Sequence, residues 1–175
     1  METEQYLSQK VDGYAQLTKE ERHAIDQFSL IWALFENAIC ATRATQKLLV
    51  KVPRDLAEIG HLDISAFEST LAYFRARYFH AGETTTFFKG LHLDEGSPKY
   101  IDLVKTVVSG AENSDIKVLG AMLLIIHRYR NNLFHGVKMQ YGISGQRENF
   151  EHACNVLMAV MDQYPRVDRG QRETA

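Results

Sequence analysis

The residues best suited to chemistry lie in one run, Arg130-Asn131-Asn132-Leu133-Phe134-His135-Gly136. Histidine titrates near neutrality, so His135 can take up or release a proton at pH 7. Arginine stays charged, and its planar fork of donors fits phosphate. Arg-x4-His also occurs as Arg75 to His80 and Arg147 to His152. With 11 arginines and 7 histidines in 175 residues, chance supplies roughly half an instance, so spacing alone decides little. Context separates the three. Only Arg130 is followed by Asn, approached by an apolar run and closed by Gly after the histidine. Arg147 and His152 read as solvated residues at a helix start. His80 reads as a helix-end histidine favoured by the C-terminal dipole.

Geometry constrains the pair. Residues five apart on a straight helix are rotated by roughly 140° about its axis. Arg130 and His135 share a face only if the helix breaks at Asn131-Asn132, or ends at His135 so that the ring swings free. Gly136, a natural helix terminator, favours the second arrangement.

The elements that position this run read as helices. Thr18-x-x-Glu21 is a capping box. After it Ile25, Phe28, Trp32, Phe35 and Ile39 recur every three or four residues, predicting a helix over 19–51 that ends before Pro53. A short helical turn is expected at 54–59, closed by Gly60. Ser65-x-x-Glu68 reads as a second box, opening a helix with Phe67, Leu71, Phe74 and Tyr78 that stops near Gly82. Residues 81–97 read as a long loop packed down by Phe87, Phe88, Leu91 and Leu93, with a brief strand at 84–88 lacking a partner. Ser97-Pro98 starts a helix to about Val108, stopped at Gly110. Ser114 caps the most apolar helix, 115–135. A last helix spans 146–163, with Phe150, Cys154, Leu157, Val160 and Met161 in a stripe. The expectation is an all-α, up-and-down bundle of about five main helices. It comprises a polar segment (1–17), a helical domain (18–164) and a charged, disordered tail (165–175).

Composition excludes several classes. At 45% apolar and 24% charged, the chain is an ordinary single domain with a core of its own. Two cysteines, Cys40 and Cys154, exclude a disulfide scaffold or Cys-rich zinc module and read as small buried hydrophobes. The polar start lacks a signal-type apolar region, and the run Val118–Ile126 is too short for a membrane span. A cytoplasmic protein without membrane association is expected. The seven histidines are scattered with no His-x3-His pair, so neither a metal nor another cofactor is expected. His127, on an apolar helix, reads as a core histidine.

The Arg-Asn-x3-His run at the end of an apolar helix resembles the signature of HEPN domains. The likeness extends over roughly 18–164, through Trp32-x2-Phe35-Glu36 on the first long helix and Tyr73-Phe74-Arg75-x-Arg77-Tyr78 on the next. It implies a metal-independent endoribonuclease, a toxin or phage-defence effector. RNA carries its own nucleophile, the 2′-hydroxyl. A base must deprotonate it and a cation must stabilise the charge growing on phosphorus oxygens, roles that fall to His135 and Arg130. The resemblance further implies 2′,3′-cyclic phosphate and 5′-hydroxyl ends, and a homodimer in which two motifs face one cleft. Asn131 and Asn132 would orient the histidine or hold phosphate, or else finish a helix end. Tyr129 can stack a base or serve as a core tyrosine. Lys138, Arg147 and Arg128 can grip flanking phosphates or be ordinary surface charge. Glu36 can orient His135 or partner a buried arginine. Some such toxins carry Tyr two residues after the histidine, where a partner nucleotidyltransferase modifies it. Here that position is Val137, with Tyr141 nearby, leaving an antitoxin or nucleotidyltransferase partner open. The alternative is a non-catalytic helical module binding RNA, nucleotide or a partner protein, or a structural dimerisation bundle.

Net charge is −2 but unevenly spread. Residues 116–147 contain no acid and hold Lys117, Arg128, Arg130, Lys138 and Arg147, a charge of +5 that leaves −7 for the rest. A basic segment around the motif predicts one local place for RNA.

Overall fold

A computed structural model describes residues 2–93, 97–134 and 143–165. The fold is all-α, and no described helix is long and apolar enough to cross a membrane. In chain order its elements are α1 (Thr3–Lys10), α2 (Lys19–Cys40), α3 (Gln46–Leu49), α4 (Val52–Glu58) and α5 (Glu68–Tyr78). A two-stranded hairpin follows, β1 (Phe79–His80) and β2 (Glu83–Thr84), then α6 (Thr86–Lys89), α7 (Pro98–Val108), α8 (Asp115–Phe134) and α9 (Arg147–Gln163). Single 3-10 turns at Tyr14–Gln16 and Ile64–Phe67 precede α2 and α5.

The axis of the molecule is α8. Every residue from Val118 to Ile126 is buried, the signature of a helix enclosed on all sides. It packs on α3, α4, α7 and α9, while α2 lies along α9. Burying each Leu or Ile of that run contributes about 1.5–3 kcal/mol relative to exposure. Aromatic rings join the two halves of the core. Phe28 of α2 stacks on Phe150 of α9 at 4.9 Å, and Tyr129 of α8 meets Phe150 edge-on.

The capping box of α2 forms as expected. Thr18 Oγ1 accepts from the Glu21 amide and Glu21 Oε2 accepts from the Thr18 amide. The second oxygen, Glu21 Oε1, accepts from the Gly145 amide at 2.7 Å. One carboxylate therefore ties the start of α2 to the turn that precedes α9. These bonds, that from Gly145 foremost, hold its pKa below the usual carboxylate value.

Several boundaries differ from the sequence expectation. The helix predicted over 19–51 stops at Cys40, because Ala41 (φ 47°) and Thr42 (φ 65°) turn left-handed. Glu36 stabilises that reversal: its carboxylate accepts from the Ala44 amide at 3.0 Å and from the Trp32 indole at 3.2 Å. Thr45 then caps α3 by accepting from the Leu48 amide. Pro53 lies inside the first turn of α4, where its missing N–H costs nothing. Ser65 does not cap α5; Asp63 accepts from both the amide and hydroxyl of Ser65 and starts the 3-10 turn instead. Strand residues at 83–84 do find a partner, Phe79–His80, across a turn with Ala81 and Gly82 at positive φ. Leu91 and Leu93 are buried as expected, whereas Phe87 is 55% exposed. Both cysteines are buried, and burial pushes each thiol up to about 11.

Candidate functional site

The end of α8 that carries Arg130 meets the C-terminal half of α5, the 85–93 segment and the start of α9. α8 continues through Asn131 and Asn132 to Phe134 without interruption, so the helix break considered above does not occur. His135 and Lys138 lie outside the described residues, as do Gly136, Val137 and Tyr141. So does the tail from 166 onward.

Arg130 is half-buried. Its Nη1 donates to Asn131 Oδ1 at 3.2 Å, and its guanidinium lies 5.5 Å from the centre of the Phe134 ring. Both contacts fix the fork at the helix end. Phe134 itself is 53% exposed.

The neighbours of Arg130 face inward. Arg128 is 6% exposed, against the expectation of a surface cation, and its Nε donates to the Leu91 carbonyl at 2.7 Å. Asn132 is 1% exposed and its Nδ2 donates to the Gly90 carbonyl at 3.2 Å. Together they clamp the 90–91 backbone onto α8, and Arg128 supplies the partner for a carbonyl in a buried setting. Tyr129 is a core residue, packed edge-on against Phe74 and Phe150.

Its hydroxyl belongs to a buried network. Tyr129 and Tyr73 both donate to Asn149 Oδ1, at 3.1 and 2.9 Å. The Tyr78 and Tyr129 hydroxyls hydrogen-bond to each other; because the Tyr129 proton goes to Asn149, Tyr78 is the donor of that pair. With its oxygen filled, Asn149 turns its Nδ2 to Gln146 Oε1 at 2.6 Å. Burial pushes the Tyr129 and Tyr78 hydroxyls well above their ordinary pKa, so they are neutral donors and not acid–base groups at pH 7. His152 stacks on Tyr73 at 4.1 Å and its Nδ1 shares a proton with Thr70 Oγ1 at 3.0 Å. Burial lowers its pKa. The expectation of a solvated His152 is thus corrected. Asn149, Gln146 and Arg77 escaped the sequence reading as site residues. Asn149 carried one signal, an amide beside the apolar stripe of α9, where it is 3% exposed.

The remaining candidates are placed elsewhere. Arg147 is exposed at the start of α9 and pairs with Glu151 at 2.6 Å. Glu36 spends its carboxylate on Trp32 and the turn after α2, and no contact brings it to Arg130 among the described residues. His127 stacks on Trp32 at 5.9 Å. Arg75 donates to the Val107 carbonyl and to Asn113, finishing α7, while His80 is exposed on the hairpin.

Two concavities flank α8. A cavity of about 120 Å³ lies beside the motif, lined among others by Arg77, Phe87, Tyr129, Asn132, Gln146 and Asn149. A groove of about 730 Å³ opens at the opposite half of α8, floored by Val50, Tyr100, Leu103, Ile116 and Gly120. Its rim ions are paired in part, Lys51 with Asp55 and Lys117 with Glu112. The bond from Lys117 holds the Glu112 carboxyl down to about 2. Among the described residues no cluster of three or more His, Cys, Asp or Glu side chains is placed to hold a metal ion. The chain matches no family model, no curated protein and no solved structure.

Proposed function

We propose that the protein is a metal-independent endoribonuclease of HEPN type, acting as a cytoplasmic toxin or phage-defence effector. The observation that carries this reading is the Arg130-Asn131 pair in the last turn of the central helix, with His135 following in the sequence, within the basic stretch 116–147. In the proposed reaction His135 takes the proton of a ribose 2′-hydroxyl. The 2′-oxygen attacks the adjacent phosphorus, and the bond to the 5′-oxygen breaks. Arg130 stabilises the negative charge on the non-bridging oxygens. A second proton donor delivers hydrogen to the departing 5′-oxygen. In a homodimer that donor is the histidine of the second copy, and the exposed Phe134 beside Arg130 supplies an apolar surface for the contact. Asn131 is a positioning residue that holds the Arg130 fork. Lys138 and Arg147 lie in the same basic stretch and would meet flanking phosphates. A protein antitoxin or a modifying nucleotidyltransferase is the partner class this reading leaves open.

A second reading is a helical module that binds RNA, nucleotide or a partner protein without cleaving it. Its support is that Arg128, beside the motif, and Asn132, within it, donate to backbone carbonyls of the fold. Incubating the purified chain with RNA in EDTA separates the two. The ribonuclease reading expects cleavage by wild type and none by His135→Ala. Equal cleavage by both, or binding without cleavage, overturns it.

A further inference from the structure

We propose that Arg77 is a further RNA-binding residue, a cation held ready for a backbone phosphate that flanks the one met by the motif. The proposal rests on the ribonuclease reading for the identity of the ligand, while the anion site is argued from its own groups.

Arg77 lies in the last turn of α5 and is half-buried. Buried and half-buried arginines elsewhere are engaged: Arg22 donates to the Glu4 carboxylate, Arg75 to Asn113 and the Val107 carbonyl, and Arg128 to the Leu91 carbonyl. Arg77 forms no ion pair with an acid among the described residues. The groups around it are neutral. Its guanidinium carbon lies 4.2 Å from the centre of the Phe87 ring and 6.0 Å from that of Tyr73. It also sits beside the Tyr73 and Tyr78 hydroxyls, where its charge opposes the rise that burial imposes on both phenols. Glu148 acts on Tyr73 through space and makes no ion pair with Arg77. A half-buried charge among uncharged groups gains most from an anion.

The fold also presents this cation. Thr85 donates its amide to the Tyr78 carbonyl at 3.0 Å and its hydroxyl to the Arg77 carbonyl at 2.7 Å. The segment that leads to Phe87 is thereby fastened to the end of α5, and the ring holds the guanidinium in place. Nε is closed off from solvent, whereas the terminal Nη groups are not. Two concavities meet at this side chain. The cavity of about 120 Å³ has Arg77 and Phe87 in its wall together with Asn132 of the motif. An open depression of about 430 Å³, lined by Tyr73, His80, Thr86 and Phe87, has Arg77 in its wall as well. An RNA strand whose scissile phosphate sits at Arg130 meets Arg77 by continuing along this face. Arginine suits that contact, because its fork binds phosphate through two parallel hydrogen bonds and is weakly hydrated.

The test is binding of a 2′-O-methyl RNA oligonucleotide, which lacks the attacking hydroxyl, to the full chain over a series of salt concentrations. On a single strand each phosphate contact adds about 0.7 to the slope of log affinity against log salt. Arg77→Gln is expected to lower that slope by about 0.7 and to weaken binding about tenfold at low salt. Arg77→Lys keeps the charge and is expected to keep the slope. Lys99→Gln removes an exposed cation from the rim of the large groove and is expected to change neither quantity. An unaltered slope in Arg77→Gln, an equal fall in Lys99→Gln, or no binding by wild type overturns the proposal. NMR of the Arg77 side chain in wild type gives the same answer without a variant: its resonances are expected to shift when the oligonucleotide is added, and resonances that stay in place overturn the proposal. Inorganic phosphate is the second probe. Phosphate binding that needs Arg77, with an RNA slope that does not, makes this a site for a free anion and also overturns it. A chain that binds through Arg77 without cleaving removes the ribonuclease reading and leaves the site. A chain that cleaves with the slope unaltered in Arg77→Gln does the opposite.

Discussion

The two halves of α8 organise their surroundings in opposite ways. The N-terminal half floors the larger concavity, about 730 Å³, with aliphatic groups and a rim of solvent-exposed ions. The C-terminal half borders a cavity of only about 120 Å³ but gathers buried hydroxyls, amides and guanidinium groups around it. Volume and chemistry are thus separated along one helix. Exposed ion pairs such as Lys51–Asp55 contribute about 0–1 kcal/mol and position nothing with precision. A buried polar network is costly unless every member is satisfied, so it fixes side chains tightly. The smaller cavity is therefore the place to expect recognition, and the larger groove the place where substitutions are tolerated.

That contrast can be broken most sharply at Arg130. Arg130→Ala is expected to reduce RNA cleavage by about 10³-fold, because a cation aimed at the developing phosphorane charge is lost. The variant is expected to keep the far-UV circular dichroism of wild type. Unfolding of the variant would make Arg130 a structural residue and favour the dimerisation-bundle reading.

Asn149→Ala is the next largest effect. It strands the buried Tyr129 hydroxyl, together with the half-buried Tyr73 hydroxyl and Gln146 oxygen. A loss of about 3 kcal/mol is expected in urea unfolding. A loss below about 1 kcal/mol would mean that water replaces the amide freely.

How much of this was legible in the sequence depends on the kind of signal. The helices with periodic apolar faces and local caps read correctly: α2 starts at its Thr18 box, α7 at Ser97-Pro98, and α8 and α9 span the expected stretches. What failed turned on side-chain to backbone contacts that apolar periodicity does not encode, some of them local and others distant in sequence. Nothing local marks the left-handed turn at Ala41-Thr42, because it is secured by the Glu36 carboxylate folding back on Ala44. Arg128 read as surface charge because its partner, the Leu91 carbonyl, lies 37 positions away. Tyr129 and Tyr73 stand out in the sequence as aromatic residues, but their meeting at Asn149 is a tertiary fact. The motif itself was legible as a pattern, while the residues that line its neighbouring pocket were not.

On the groove side the contrast predicts tolerance. Gly120 sits inside α8, and a Cβ there would lie 3.8 Å from Val50 Cα, an ordinary contact. Gly120→Ala is expected to stabilise the fold by about 0.5–1 kcal/mol through helix propensity, with RNA cleavage unchanged. A loss of stability would show that the groove is as tightly specified as the motif end.

The smallest effect is a pH dependence. Burial lowers the folded-state pKa of His152 below the ordinary histidine value of about 6.5. The unfolded chain then binds the proton more readily, so stability is full above pH 6.5 and falls as pH drops below it. Replacing His152 with Gln is expected to flatten the dependence of the urea midpoint on pH between 7 and 5. An unchanged slope would assign it to other groups.

The ends of the RNA fragments made in EDTA test the proposed ribonuclease activity most directly. Transesterification through the 2′-hydroxyl predicts 2′,3′-cyclic phosphate and 5′-hydroxyl ends, absent with His135→Ala. Fragments bearing 3′-hydroxyl and 5′-phosphate ends, or cleavage undiminished in His135→Ala, would contradict it.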